Sequence, residues 1–503
     1  MYGILIIEKS INEVNYMNIL TITDGFTKGG LETHINTYYN ALKDDNNLIF
    51  CFGYYAEYGY LQNAKIITGF HFSSSATIKE FCSDVNKLIK IINDNDIDVI
   101  HVHPFYCIFP AIFAANITNT KLIYTYHGRA SINFPSFLND YPLFALAIET
   151  LIQKVFCVTD YGTPFFNDYH KNQAILFNNL VDENAYEKHN VTLNKKWALV
   201  SRLDSDKEKE ILELLNIISE LDIEKIDIYG DGTQEKRIIK YVKKLHLQNM
   251  IDFKGYCIDI NKQLKDYTGV IGLGRVAIES LTMNYPTLII GFGKVSGLID
   301  KDYYNKLKYT NFVPAEFPAV NIETLKKQII NINKGNYKRY QLRDIIIKDM
   351  GIHKTNEYLN IIKEITPISL KVYDNIFERI KKLKNKELLF YTSEDVFEIL
   401  KEFISSYTNN PELKREIVML SQIIELKKIN TEQSNNIFSL NKELQSLKNE
   451  ISQNANSVQT LSHNINEFMK NHKESLDNTS LLTLIKRDFS KFKYRIKTTF
   501  KKK

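Results

Sequence analysis

Trp197-Ala198-Leu199-Val200-Ser201-Arg202-Leu203-Asp204-Ser205-Asp206-Lys207 and, further on, Gly272-Leu273-Gly274-Arg275-Val276-Ala277-Ile278-Glu279 decide the reading of this chain. In each, an apolar run or a glycine turn opens into an amphipathic segment and places charge at the junction. Arg202 and Lys207, five apart at a strand-to-helix turn, can both reach a diphosphate. Glu279, on a helix downstream, can accept hydrogen bonds from a ribose. The pair suggests a nucleotide-sugar site, and the apolar runs around it fix the local structure as strand, turn, helix.

Outward from that stretch the same rhythm repeats. Residues 17–23, 97–103 and 121–126 read as buried strands, and residues 31–42 have helical periodicity. After about residue 190 the alternation restarts, with strands expected at 197–201, 225–229, 250–254, 269–273 and 286–290. Repeated β-α alternation predicts parallel sheets covered by helices on both faces. The expected class is α/β, with two Rossmann-like domains at 17–190 and 191–350. The ligand then lies between them, at the carboxyl ends of the strands. Residues 1–16 read as a leader, with Met17 a candidate start.

At 503 residues the chain exceeds one core, so two or three domains are expected. Its 44% hydrophobic and 24% charged residues are ordinary for a globular protein. The net charge of +5 does not call for nucleic acid. Its distribution is uneven, since residues 486–503 hold nine Lys or Arg against one Asp. The five cysteines are widely spaced, form no CxxC pair and predict free thiols in a reducing compartment. No apolar run reaches the roughly 20 residues of a membrane span, and no secretory signal is present. The expected location is cytoplasmic, with any membrane contact peripheral, at the inner face of the cell membrane.

Beyond residue 350 the pattern becomes helical: a return helix and helical linker at 351–414, then a heptad segment at 415–470. Met419, Ile423, Leu426, Ile437, Leu440, Leu444, Leu447, Ile451, Val458, Leu461, Ile465 and Phe468 keep one a/d register, interrupted by Asn430, Gln433 and Asn454. A seam this narrow and long predicts a coiled coil and a homo-oligomer. At 481–503, Leu482, Ile485, Phe489, Phe492, Ile496 and Phe500 recur every three or four residues among basic ones. That is a basic amphipathic tail suited to an anionic membrane surface.

Four further motifs carry chemistry. Lys28-Gly29-Gly30-Leu31-Glu32-Thr33-His34 follows the first strand and opens a helix, where glycines admit a ligand close to backbone N–H groups. Gly230-Asp231-Gly232 follows another strand. His101-Val102-His103 ends a strand; its two imidazoles face one side without a clear third ligand, so no metal is expected. His127, beside Gly128 at a strand end, reads as a hydrogen-bond donor to substrate. Asp204-Ser205-Asp206, Asp94-Asn95-Asp96 and Asp96-Ile97-Asp98 read as polar turns rather than metal triplets.

Taken together these motifs resemble the retaining glycosyltransferases of the GT-B fold, family 4 type, over roughly residues 17–358. The Gly29-Gly30 loop, the His101-Val102-His103 strand end, Ser201-Arg202-Leu203 with Lys207, Gly230-Asp231-Gly232 and Asn179-Leu180-Val181-Asp182 all match elements of that family. The family's Glu-x7-Glu is met at its second position by Glu279 and departs at its first, Ile271. The Gly272-Leu273-Gly274-Arg275 stretch resembles a subgroup with Gly-x-Gly-Arg there, and the later glycine loop is altered to Gly291-Phe292-Gly293-Lys294.

The resemblance implies a nucleoside diphosphate sugar as co-substrate, a glycan or lipid-linked acceptor, and no other cofactor. It makes 17–190 the acceptor side and 191–350 the donor side. Arg202, Lys207 and His127 are the implied catalytic residues. Gly29, Gly30, Arg202, Lys207, Gly230, Gly232, Arg275 and Glu279 are the implied donor contacts. The alternative is a non-catalytic scaffold on a transferase-like body that recruits partners through its coiled coil, an idea resting on Ile271.

Overall fold

The computed structural model describes residues 16–453, except 57–58, 129–130, 132–137, 170–173 and 258–259. The leader up to residue 15, the heptads after residue 453 and the whole basic tail lie outside the described residues. The chain forms two compact units, Met1–Val418 and Met419–Lys503.

The first unit holds two sheets. The first contains β1 (Asn18–Phe26), β2 (Asn47–Tyr55), β3 (Lys65–Ile67), β4 (Val99–Val102), β5 (Lys121–Tyr126), β6 (Lys154–Cys157) and β7 (Ala174–Leu176). Their order is β3-β2-β1-β4-β5-β6-β7, with every pairing parallel. The second contains β8 (Lys196–Val200), β9 (Lys225–Tyr229), β10 (Ile251–Gly255), β11 (Gly269–Gly272), β12 (Thr287–Gly291) and β13 (Lys294–Leu298). Its order is β10-β9-β8-β11-β12-β13, parallel except for the antiparallel β13. Two parallel sheets with helical crossovers are the architecture expected from the α/β alternation.

Burial explains why these segments read as strands. Ile19, Leu20 and Ile22 of β1 and all of β11 and β12 are inaccessible or nearly so, because helices cover both sheet faces. Trp197, fully buried in β8, anchors the second core with Leu199, Ile226, Ile228, Ile271 and Leu288. Ile271 pairs with Leu199 on one side and Leu288 on the other. It therefore fills the core rather than facing solvent.

In each sheet the order reverses beside the first strand. β1 lies between β2 and β4, and β8 between β9 and β11. Crossovers leave in opposite directions there, so the loops after those strands part and leave a crevice. The Gly29-Gly30 loop follows β1, and the Arg202 loop follows β8. Both key loops therefore sit at a switch point.

The chain passes between the sheets twice, and the two passages are joined by Val181 N–H donating to the Met350 carbonyl at 2.8 Å. Helix Thr355–Glu364 then returns to the first sheet, placing Tyr358, Leu359 and Ile362 in a core with Met17, Val99, Ile123 and Phe156. Helices Lys371–Lys381 and Glu394–Tyr407, within the stretch expected as linker, pack on the helices of the first sheet. Phe390, between them, stacks on Phe81 at 3.7 Å, and Asn139 Nδ2 donates to the Phe390 carbonyl at 2.6 Å.

Pro411–Gln453 is one continuous helix. Of the predicted seam, Met419, Ile423, Leu426, Ile437, Leu440 and Leu444 are exposed on it. Among the described residues no helix is long and apolar enough to cross a membrane. All five cysteines are free thiols, four of them buried.

Candidate functional site

A cleft of 1060 Å³ lies between the two sheets at the carboxyl ends of their strands. Gly29, Gly30, His127, Arg202, Lys207, Gly230, Gly232, Arg275 and Glu279 all line it. Every residue singled out as a catalytic or donor contact is thus brought to one place, from loops up to 250 positions apart in the chain.

The loop after β1 is held by its own carboxylate. Glu32, buried, accepts from the Thr27 backbone N–H at 3.1 Å and its hydroxyl at 3.3 Å. This leaves Gly29 and Gly30 bare against the cleft at the start of helix Gly30–Leu42. Lys28 reaches across instead. Its Nζ lies 2.9 Å from both carboxylate oxygens of Asp231 and 4.0 Å from the centre of the Tyr256 ring. One side chain of the first sheet's loop thus clasps two loops of the second.

The Arg202 loop and the Gly230-Asp231-Gly232 loop interlock. Leu203 N–H donates to the Asp231 carbonyl at 2.8 Å, and Ser201 N–H to the Tyr229 carbonyl at 3.0 Å. Gly230 has φ 142°, and a Cβ there would collide with the Ser201 carbonyl. A Cβ on Gly232 would collide with the Leu203 backbone. These glycines are therefore required by the backbone that carries Arg202, before any ligand is considered.

Charge in this corner is internally balanced. Arg202 pairs with Asp204 at 3.1 Å and Asp206 at 3.0 Å, and Lys207 lies 3.4 Å from the same Asp206 oxygen. The two acids differ in role. Asp204 accepts from the Thr233 backbone N–H at 3.0 Å and hydroxyl at 3.2 Å, which hold its carboxyl below the usual range. Asp206 is half exposed and makes contact with the two cations. An arriving diphosphate would compete with Asp206 for both.

Arg275 and Glu279, one helical turn apart on Arg275–Thr282, are turned inward, each 9% exposed. Their charges approach to 3.4 Å. Arg275 also donates to the Leu180 carbonyl and, at 3.4 Å, to Thr37. It thereby ties the second sheet's helix to the interdomain passage and to the first sheet's helix. Burial pushes the Glu279 carboxyl up, against the opposing pull of Arg275 and a hydrogen bond from Tyr186. Glu279 is thus a preorganised acceptor, while Arg275 is engaged as an internal tie.

The histidines form a buried cluster beside the cleft, and His127 lines the cleft wall. His103 Nδ1 lies 2.9 Å from His127 Nε2. His34 Nδ1 lies 2.8 Å from Asn179 Oδ1. His101 is held by Thr125 at 2.7 Å and the Tyr358 hydroxyl at 2.7 Å. Burial pushes His34 and His101 down to about 3, and His103 and His127 well below the usual imidazole value. All four rings are therefore neutral near pH 7.

Lys28, Tyr256, Tyr186 and His34 were not singled out from sequence. Lys28 and His34 lay within the quoted Gly-Gly motif, and Tyr256 follows a strand end, the position that flagged its neighbours. Tyr186 had no local signal.

Comparison with known proteins follows this geometry. The sequence profile of Glycosyltransferase Family 4 matches residues 28–169. A glycosyltransferase from Rickettsia africae superposes with a TM-score of 0.53 at 16% identity, covering 70% of this chain and 100% of that one. Anabaena HepE in complex with UDP-glucose gives 0.53 at 15% identity, over 69% and 100%. TarM gives 0.52 at 13% identity, over 69% and 99%. The fold is that of the GT-B glycosyltransferases. No curated protein matches the chain in sequence.

Proposed function

We propose that this chain transfers a sugar from a nucleoside diphosphate sugar to a glycan or lipid-linked acceptor, with retention of configuration, in the synthesis of a bacterial surface polysaccharide. The observation that carries the reading is the convergence of Arg202, Lys207, Glu279, the glycine loops and His127 on one cleft at both switch points. Arg202 and Lys207 stabilise charge on the departing diphosphate, each contact contributing roughly 3 kcal/mol in the transition state. Glu279 accepts from the ribose, the backbone at Gly29 and Gly30 approaches the phosphate or the acceptor, and His127 hydrogen-bonds the donor sugar. Arg275 contributes by holding the two halves in register. With two cations at the diphosphate, the chemistry has no need of a metal ion. UDP sugars are the first donors to test, since HepE of this fold is described with UDP and UDP-glucose.

Ile271, the basis of the scaffold alternative, is a core residue of β11. The joint presence of Arg202, Lys207 and Glu279 on the cleft favours the enzyme over that alternative. The exposed seam of helix Pro411–Gln453 supports a coiled-coil homo-oligomer over 415–470. The tail at 481–503 would then bind anionic lipid at the inner membrane face, its weak contacts multiplied by oligomerisation.

The test is thermal denaturation of the full chain with a panel of nucleoside diphosphates and their sugar conjugates. A base-selective rise, about 2.7 kcal/mol at a hundred times the dissociation constant, is expected, and its loss in Arg202→Ala and Glu279→Ala. No rise with any nucleotide would overturn the reading.

A further inference from the structure

The histidine cluster contains one feature that substrate binding leaves unexplained. Asn179 Nδ2 donates to Asn311 Oδ1 at 2.9 Å, so its own Oδ1 is turned to His34 and accepts the Nδ1 proton at 2.8 Å. The neutral His34 ring then carries a bare lone pair on Nε2. That atom is buried and has no hydrogen-bond partner. A buried acceptor left this way is unfavourable, and a ligand at that atom would relieve it. Beside it stand His103 and His127, the rings centred 5.6 and 4.9 Å from that of His34. One ring nitrogen from each of the three lies within 4.8 Å of the other two.

We propose that His34, His103 and His127 form a binding site for a divalent transition metal of the zinc class, with the fourth position open to the cleft. The three ligands come from helix Gly30–Leu42 and the turns after β4 and β5, so the rigid first sheet sets their spacing. Zinc–imidazole bonds of about 2.0–2.1 Å in a tetrahedron require nitrogens about 3.3–3.4 Å apart. His103 and His127, now 2.9 Å apart, need part only slightly, and His34 closes by side-chain movement. An all-imidazole set without carboxylate selects against Mg²⁺ and Ca²⁺. The His34–Asn179 hydrogen bond is the outer-shell contact that orients a ligating imidazole.

The consequence for activity rests on the glycosyltransferase reading. A metal here draws His127 toward His34 and His103 and away from the donor sugar, so it acts as an inhibitor. Binding itself does not depend on that reading.

The full chain, stripped of metal, is titrated with Co²⁺ and followed by visible absorption, then back-titrated with Zn²⁺. Expected is one equivalent with the intense bands of tetrahedral cobalt, displaced by zinc and absent in His34→Ala and His127→Ala. Asn179→Leu should weaken the affinity about 10–100-fold. Absence of such bands, or bands unchanged in both histidine variants, overturns the proposal. His127 is only half-buried at the cleft wall, so its variant remains decisive if His34→Ala fails to fold. Because the readout is absorption, a chain that binds cobalt but transfers no sugar, or the reverse, separates this site from the proposed activity.

Discussion

Breaking the Arg275–Glu279 pair should cost stability as well as ligand binding, and the size of the effect follows from its position. The charges are 3.4 Å apart with both side chains about nine-tenths buried. At an effective dielectric of about 20, attraction at that separation is about 5 kcal/mol. Removing one partner strands the other in a poorly solvated place, a loss of about 3–5 kcal/mol. Arg275→Met and Glu279→Gln should each show a loss of that order, and the double variant should fall short of their sum by about 3 kcal/mol or more.

Trp197 provides the assay. It is the only tryptophan in the chain and lies fully buried in β8. Its fluorescence during guanidinium unfolding reports the second sheet, which carries the pair. Additive losses, within about 0.5 kcal/mol, would refute the inward pairing. So would a Glu279→Gln variant that loses nucleotide affinity at unchanged stability, because Glu279 would then be a free donor contact.

Other consequences are simpler to state. Asp206→Asn should tighten nucleoside diphosphate binding a few-fold at low salt, by freeing Arg202 and Lys207, with the gain fading as salt screens it; calorimetry would show it, and weaker binding would contradict the competition. Asp204→Asn should act in the opposite direction, because Asp204 holds Thr233. Gly230→Ala should destabilise the second sheet by about 3 kcal/mol or more, at the upper end of single substitutions, since its Cβ meets the Ser201 carbonyl; a near-native Trp197 unfolding curve would refute this.

Asp140 gives the pH dependence. It is fully buried with both oxygens unpartnered, and burial pushes it up to about 8. A raised carboxyl favours the fold while protonated, so its contribution is complete below the unfolded value near 4 and is lost as pH rises toward 8. Asp140→Asn should remove a decline of up to about 1.4 kcal/mol per pH unit across that window. An unchanged pH profile would show that Asp140 titrates normally.

Lys121–Tyr126 and Lys225–Tyr229 were legible to the residue. Strands of a covered parallel sheet are buried on both faces and must be nearly continuous apolar runs, a signal that survives without tertiary information. The cleft residues were legible for a related reason. Ligands of doubly wound sheets bind where strands end, so the turns after residues 26, 126, 200, 229 and 272 were the places to look, and chemistry-bearing residues stood in each. β3 and β7, three residues each, carry too little pattern to be found that way.

What the sequence by itself determined is therefore the class of the fold, the order of its elements and which loops line the cleft. Tertiary structure decided the pairings between them. Lys28 and Asp231 are 203 positions apart, and no local pattern joins them. Arg275, expected as a donor contact, lines the cleft and also reaches Leu180 and Thr37 across the two halves. Ile271, where the resembled family carries a carboxylate, is a core side chain of β11. His103 and His127 lacked a third imidazole until the first helix packed His34 beside them. Periodicity records which face of an element is buried, because every residue along it experiences the same sheet. Which charge meets which, and which lone pair is left bare, depends on the arrangement of two sheets, and that is set only when the whole chain has packed.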